Sequence, residues 1–179
     1  GEPITAPATA TFPDVPNDAW YAGYVSYLAR YRVAVGCTDG LFHGNDPISR
    51  AEFTAMAVRF FDACGDSGQA VMENYQDFWD VSPSHWAAGY IEEAAQHGWV
   101  EGYVDGTFRA DDSIERAEVV AIVNRLLGRE ADEDYIADNL RRVITFPDVP
   151  RRHWAYYYVL EAANSHEADT TTGTEIWHK

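Results

Sequence analysis

Two arginines occupy equivalent and chemically unusual positions 66 residues apart. Arg50 lies in the segment 49–52 (SRAE) and Arg116 in the segment 115–118 (ERAE). Each segment precedes an apolar-periodic stretch, which places its arginine in the first turn of a helix, where a cation costs roughly a few tenths of a kcal/mol against the helix dipole. The free N–H groups of a helix start bind anions, and the guanidinium fork matches a carboxylate. The pattern predicts two sites for an acidic ligand, with internal pairing to one of the chain's 29 carboxylates as the alternative.

The residues around these arginines have a structural explanation of their own. Ser49 and Glu52 have the spacing of a capping box, in which each side chain accepts a hydrogen bond from the other residue's backbone N–H. In the second copy Glu118 keeps the carboxylate, but Glu115 replaces the serine. Glu115 also places a negative charge next to Arg116, which weakens the hold on an acidic ligand.

The arginine segments belong to a longer repeat. Three blocks of the first unit recur in the second without a gap, and the start of the unit occurs a third time. The blocks 12–20, 36–42 and 48–52 correspond to 78–86, 102–108 and 114–118, and the third start is at 146–154. Repeated units of this size bury their apolar faces against one another. We therefore expect binding residues where units meet.

Each unit is predicted to form a helix, a loop and a second helix with essentially no sheet, so the predicted fold class is all-α. The first helix begins after a cap at Asn17 or Asp18 and carries an apolar stripe over about four turns. An Asp-Gly turn follows it, and then a second helix from Arg50 to about Asp62, or from Arg116 to about Leu127. In the second unit Gly98 is placed to end the first helix in a left-handed cap.

The segments between and after the repeats differ from them in composition. The stretch after the second unit has the apolar spacing of one short helix, and the third unit lacks both the Asp-Gly loop and the second helix. Ile176 and Trp177 are expected to hold its tail against the helices. The predicted organisation is a linker-like segment 1–11, repeat 1 at 12–64, a linker at 65–77, repeat 2 at 78–128, a linker with a short helix at 129–145, and an incomplete repeat 3 at 146–179.

One tryptophan recurs near the start of each first helix: Trp20, Trp86 and Trp154. Two interpretations remain open for them. The rings pack in the core between units, or they form a platform on which a sugar ring stacks.

Composition limits the possible partners. The net charge is −16, from 29 acidic and 13 basic residues, which disfavours nucleic acid and anionic membrane surfaces. No apolar run reaches the roughly 20 residues that span a bilayer. The N-terminus shows no signal-peptide pattern and resembles a linker, so we expect a piece of a longer protein.

No feature of the sequence indicates catalysis. There is no nucleophile elbow, phosphate loop or dinucleotide fingerprint, and the histidines lack zinc-binding spacing. We therefore expect no enzyme activity, no metal and no cofactor. Cys37 and Cys64 either form a disulfide or are free, buried thiols.

The repeated blocks resemble the S-layer homology (SLH) module over nearly the whole chain. The resemblance rests on Phe-x-Asp-Val, Trp, Gly-x-x-Asp-Gly-x-Phe and Ile-[Thr/Ser]-Arg-Ala-Glu, which occur twice in register. It implies three units around a pseudo-threefold axis with a central helical bundle and grooves between neighbours. It also implies non-covalent attachment to a secondary cell-wall polysaccharide that carries pyruvate ketals on N-acetylmannosamine.

The resemblance assigns contact with the ketal carboxylate to Arg50 and Arg116. With the capping residues and the tryptophans, the predicted glycan-binding set is Ser49, Arg50, Glu52, Arg116, Glu118, Trp20, Trp86 and Trp154. The expected location is extracellular, at the cell wall or surface layer, within a larger surface protein. Two alternatives stay open: an assembly module that binds a neighbouring protein, or the non-catalytic domain of a surface enzyme.

Overall fold

The computed structural model describes residues 4–5, 9–65, 77–164, 166–169 and 174–177. They form six helices and one two-stranded hairpin: α1 Ala22–Arg30, α2 Arg50–Cys64, α3 Ala88–Gln96, α4 Arg116–Leu126, α5 Glu133–Asp138, α6 Tyr156–Ala163, β1 His166–Asp169 and β2 Thr174–Trp177. The all-α class is confirmed, and so is the short helix between repeats 2 and 3. The pseudo-threefold arrangement stays a prediction.

The antiparallel hairpin β1–β2 was not predicted. It pairs His166 with Trp177 and Asp169 with Thr174. The expectation that Ile176 and Trp177 hold the tail against the helices concerns side chains outside the described part of the structure.

The first helix of each repeat is shorter than predicted. α1 and α3 have nine residues each, and neither has a side-chain N-cap. Tight turns precede them instead: the Ala19 N–H bonds to the Pro16 carbonyl, and the Ala22 N–H bonds to that of Ala19. The predicted caps Asn17 and Asp18 therefore lie in these turns. The C-terminal prediction is confirmed, because Gly98 has a φ of 70°.

The chain divides into two compact units, Gly1–Ser113 and Ile114–Lys179. In the first unit α2 packs against α3, and in the second α4 packs against α6. In both, the second helix of one repeat covers the first helix of the next. In the first unit Phe61 lies against Trp99, with ring centroids 4.8 Å apart; in the second, the core contains Ile136, Tyr156 and Leu160.

The Asp-Gly loops are held by the aspartate of the Phe-x-Asp-Val motif. The two carboxylate oxygens of Asp80 accept hydrogen bonds from the N–H groups of Phe108, at 2.7 Å, and Arg109, at 2.8 Å. Asp14 makes the same pair of bonds in repeat 1, to the N–H groups of Phe42 and His43. The phenylalanine returns to the core as predicted, completely for Phe108 and partly for Phe42.

The glycine before each loop allows the motif's phenylalanine to approach the backbone. A Cβ on Gly102 would lie 2.4 Å from Cε1 of Phe78 and 2.8 Å from the Thr107 carbonyl oxygen. Gly36 has the same relation to Phe12 in repeat 1. The repeated glycine is therefore required by packing.

Candidate functional site

The start of α2 has the predicted capping box. The Ser49 N–H donates to Oε2 of Glu52 at 2.8 Å, and the Glu52 N–H donates to the Ser49 hydroxyl at 3.2 Å. A left-handed Gly65 closes the other end of the helix. The box fixes the direction in which the first turn of α2 meets repeat 2.

The remaining amides at the start of α2 are occupied by the loop of repeat 2. The Arg50 N–H donates to the Asp112 carbonyl and the Ala51 N–H to the Ala110 carbonyl, both at 2.9 Å. Ser49 and Ser113 form an isolated antiparallel bridge beside them. This helix start is therefore a junction between repeats 1 and 2, and its first two amides do not face solvent.

The Arg50 side chain completes the junction. It is 5% exposed, and its Nε and Nη2 donate to the carbonyls of Phe108, at 2.8 Å, and Glu101, at 3.2 Å. The guanidinium carbon lies 4.9 Å from the ring centroid of Tyr103 and 4.6 Å from that of Phe108. The predicted site for an acidic ligand requires an accessible guanidinium, and Arg50 does not provide one. Carbonyls and aromatic rings about 50 residues away hold the cation, and the sequence of α2 alone does not reveal them.

Arg116 has a different environment, although its motif is nearly the same. Its side chain is exposed at the start of α4, and it makes no hydrogen bond or ion pair with the described residues of its own unit. Glu118 turns back to accept the Glu115 N–H at 2.9 Å. The amides of Arg116 and Ala117 have no backbone partner among those same residues. The start of α4 thus combines a cation with two N–H groups that the corresponding part of α2 uses internally.

The three recurrent tryptophans are exposed. Trp20 is 84% exposed, and Trp86 and Trp154 are 56% exposed each. Packing of their rings in the core between units is therefore wrong. Because each helix begins later than predicted, the core position passes to the small residue that follows, as in Ala87 and Ala155, which are fully buried.

Each loop carries a pair of an acidic and a basic side chain that was not predicted from the sequence. In repeat 2 the Arg109 Nη2 donates to Oδ2 of Asp105 at 3.0 Å. In repeat 1, Nε2 of His43 lies 2.7 Å from Oδ2 of Asp39. Both basic residues have a positive φ, 59° for Arg109 and 54° for His43. The signal was available, since both pairs have i, i+4 spacing at corresponding positions of the repeats.

These pairs shift the ionisation of the loop residues. The hydrogen bond from the Thr107 hydroxyl, followed by its N–H and by Arg109, lowers the pKa of Asp105 to about 2. The hydrogen bond with Asp39 raises the pKa of His43 above its usual 6.5. The backbone N–H of Phe42 is the main cause that lowers the pKa of Asp14.

The cysteines match neither prediction, since Cys37 and Cys64 are both free and exposed. Cys37 lies in the Asp-Gly loop and Cys64 at the last position of α2, so they belong to separate elements. Within the described ranges, no group of three or more His, Cys, Asp or Glu side chains could hold a metal ion. In the same ranges, the helices are too short and too polar to cross a membrane.

Comparisons with known proteins identify the family of the two complete repeats. The family described as S-layer homology domain matches residues 11–54 and 77–120. The chain is 34% identical to a cellulosome-anchoring protein of Acetivibrio thermocellus over 89% of its length, covering 34% of that protein. It is 30% identical to a surface layer protein of Brevibacillus choshinensis over 71% of its length, and 32% identical to an amylopullulanase of Thermoanaerobacterium thermosulfurigenes over 86%. Those matches cover 11% and 8% of the two proteins.

Proposed function

Residues 11–54 and 77–120 of this chain are S-layer homology repeats, and we propose that it binds an acidic, pyruvylated secondary cell-wall polysaccharide. The chain is a cell-surface anchoring module at the cell wall. It spans about a third of the cellulosome-anchoring protein. We propose that it has the same relation to a larger surface protein and that any catalytic activity belongs to other domains of that protein.

Arg116 is the residue that meets the ligand's carboxylate in this proposal. The observation that carries the assignment is its exposed guanidinium beside the amides of Arg116 and Ala117, which have no backbone partner among the described residues. A carboxylate there accepts two parallel bonds from the guanidinium and a further one from a helix-start amide. The carboxylate of Glu115 next to Arg116 repels the ligand's negative charge and weakens its binding.

Arg50 has a positioning role in the same proposal. Its bonds to the Phe108 and Glu101 carbonyls hold the loop of repeat 2 on the start of α2. With 5% of its surface exposed, it has little area to offer a saccharide. The glycan contact first predicted for Arg50 is therefore assigned to Arg116 alone.

The exposed tryptophans supply the apolar contacts. Sugar rings stack on aromatic faces, and Trp20, Trp86 and Trp154 present one such ring in each repeat. His85 and His153 lie next to the second and third of them, with ring centroids 5.9 Å apart in both pairs. Each of these two tryptophans is thus partly fixed in orientation, which lowers the entropy lost when a sugar binds.

The test is retention of the chain on purified cell-wall polysaccharide with its pyruvate intact, compared with the same polymer after the pyruvate is removed. We expect binding to the intact polymer and loss of most binding after removal. Equal binding to the two polymers would contradict the role of the ketal, and retention on neither would contradict glycan binding altogether.

A further inference from the structure

We propose that the exposed aromatic face of α1 docks the second helix of an S-layer homology repeat that lies outside this chain. The aromatic face consists of Tyr24 and Tyr27 in α1 and Tyr31 at its C-cap, which follow one another at helical spacing. The proposal is independent of glycan binding, because it rests on how the same face is covered in the other two repeats.

In repeat 2 the corresponding face is covered by α2. Arg59 lies over the ring of Tyr90, with its guanidinium carbon 4.9 Å from the ring centroid. Its Nε donates to the Tyr90 hydroxyl at 3.3 Å. Two residues further along α2, Phe61 packs on His97, with ring centroids 5.2 Å apart.

In repeat 3 the corresponding face is covered by α4 through the same contact. The guanidinium carbon of Arg125 lies 5.2 Å from the ring centroid of Tyr158. Its Nε and Nη2 lie 3.2 and 3.1 Å from the Tyr158 hydroxyl, and Asn124 donates to the Tyr158 carbonyl at 3.0 Å. The same contact therefore occurs in both places: an arginine of a repeat's second helix lies on a tyrosine in the first helix of the following repeat.

Tyr24 is the corresponding tyrosine of repeat 1, since 24, 90 and 158 follow the spacing of the repeats. It is 54% exposed, whereas Tyr90 and Tyr158 are partly buried under their arginines. Among the described residues, Tyr24 makes no hydrogen bond and no cation–ring contact. Tyr27 and Tyr31 are exposed as well, at 45% each. The aromatic face therefore has the residues of the interface without the arginine-bearing helix.

A small apolar cavity lies at the end of the aromatic face. It has a volume of about 140 Å³ and is lined by Tyr27, Tyr31, Phe60, Cys64, Leu28, Val33 and Ala63. An apolar cavity of about 150 Å³ is large enough for a benzene ring. In both interfaces, an apolar residue follows two positions after the arginine of the second helix: Phe61 in α2 and Leu127 after α4. The corresponding residue of the docking helix is the side chain that would enter this cavity.

A second copy of this chain has no second helix to donate. Its α2 already covers α3, and its α4 already covers α6. After α6, the described stretches form the β1–β2 hairpin instead of a second helix for repeat 3. Because the described residues leave no second helix uncovered, the proposed occupant is the second helix of an S-layer homology repeat in a neighbouring surface protein.

The probe is a synthetic peptide with the sequence of residues 46–65, with Cys64→Ser and a fluorescent label, titrated with the chain by anisotropy. We expect saturable binding that Tyr24→Ala in the chain weakens about tenfold or more, because the tyrosine is the arginine's partner. A peptide carrying Arg59→Ala is expected to weaken binding to a similar extent. Val104→Ala, which truncates another exposed apolar side chain, is the matched control and is expected to leave binding unchanged.

A second peptide, with a lactam staple on its solvent-facing side, removes the cost of folding the free helix. If neither peptide binds, or if Tyr24→Ala binds like the unmodified chain, the proposal is wrong. Sedimentation of the chain alone gives a third outcome. A dimer that Tyr24→Ala dissociates would show that a second copy occupies the aromatic face, and would also overturn the proposal.

Discussion

At the scale of single residues, Arg50 and Arg116 show how one motif serves two purposes. Arg50 is buried among carbonyls and aromatic rings of repeat 2, while Arg116 is exposed beside open amides. The difference arises because the partner of Arg50 is the Asp-Gly loop of the following repeat. Repeat 3 has no such loop sequence to offer Arg116.

This difference predicts unequal effects of the same substitution on stability. Arg50→Ala removes two charged hydrogen bonds and a ring contact, and it is expected to lower the free energy of unfolding by about 2–4 kcal/mol. Arg116→Ala is expected to change it by less than about 0.5 kcal/mol. Urea denaturation followed by circular dichroism measures both. Equal effects of the two substitutions would show that Arg50 is not part of the junction.

The hydrogen-bonded pair His43–Asp39 predicts that the stability of the chain depends on pH near neutrality. Because the hydrogen bond with Asp39 raises the folded-state pKa of His43 above 6.5, its stabilisation is fully present below pH 6.5. It is lost as the pH rises through the raised pKa. The melting temperature should therefore fall over that window, and His43→Gln should flatten the fall. An unchanged slope in His43→Gln would contradict the assignment.

The lowered pKa of Asp105 predicts that the stability of the chain also depends on pH in acid, where it falls as the pH falls. Its pKa is lowered from 3.8 to about 2, mainly by the Thr107 hydroxyl, so its stabilisation is present above pH 3.8 and is lost as the pH falls toward 2. Thr107→Val should weaken this acid-side loss by raising the pKa of Asp105 toward its usual value. Titration of the Asp105 carboxyl by NMR gives the value directly, and a value near 3.8 in the unmodified chain would contradict the prediction.

Among the elements of repeat 2, Gly102 before the Asp-Gly loop and Gly89 within α3 have different roles. Gly102 is pressed against Phe78, whereas a Cβ added to Gly89, in α3, would meet no other atom within 4 Å. Gly102→Ala is expected to cost about 1–3 kcal/mol through overpacking. Gly89→Ala is expected to stabilise the chain by about 0.5–1 kcal/mol through helix propensity. Thermal unfolding of the two variants compares them, and a tolerated Gly102→Ala would contradict the packing role.

Elements with local causes could be predicted from the sequence. The Ser49–Glu52 capping box, the left-handed Gly98 and the positions of the second helices depend on residues within one or two turns, and all are present. The predicted starts of α1 and α3 are too early, because successive tight turns mimic helical spacing. The exposure of Trp20 follows from the later start of α1. The burial of Arg50 depends on contacts with repeat 2, which periodicity within one repeat does not contain.

At the scale of the whole molecule, an acidic chain is proposed to bind an acidic polymer. The net charge of −16 repels the polymer at long range, while the contact at Arg116 is short. Added salt screens the repulsion as well as the contact, so affinity should change little between low and moderate salt. A protein that binds through a broad basic patch loses affinity steeply under the same change.

Calorimetric titration of a synthetic pyruvylated saccharide into the chain and into its Arg116→Ala variant tests directly whether Arg116 binds the ketal carboxylate. Arg129→Ala, another exposed arginine of the same unit, is the matched control. A charged hydrogen bond contributes about 1.5–3 kcal/mol, so Arg116→Ala should weaken binding about tenfold or more, with the control unchanged. If Arg116→Ala binds as tightly as the unmodified chain, the saccharide does not bind at the start of α4 and the proposed role of Arg116 is wrong.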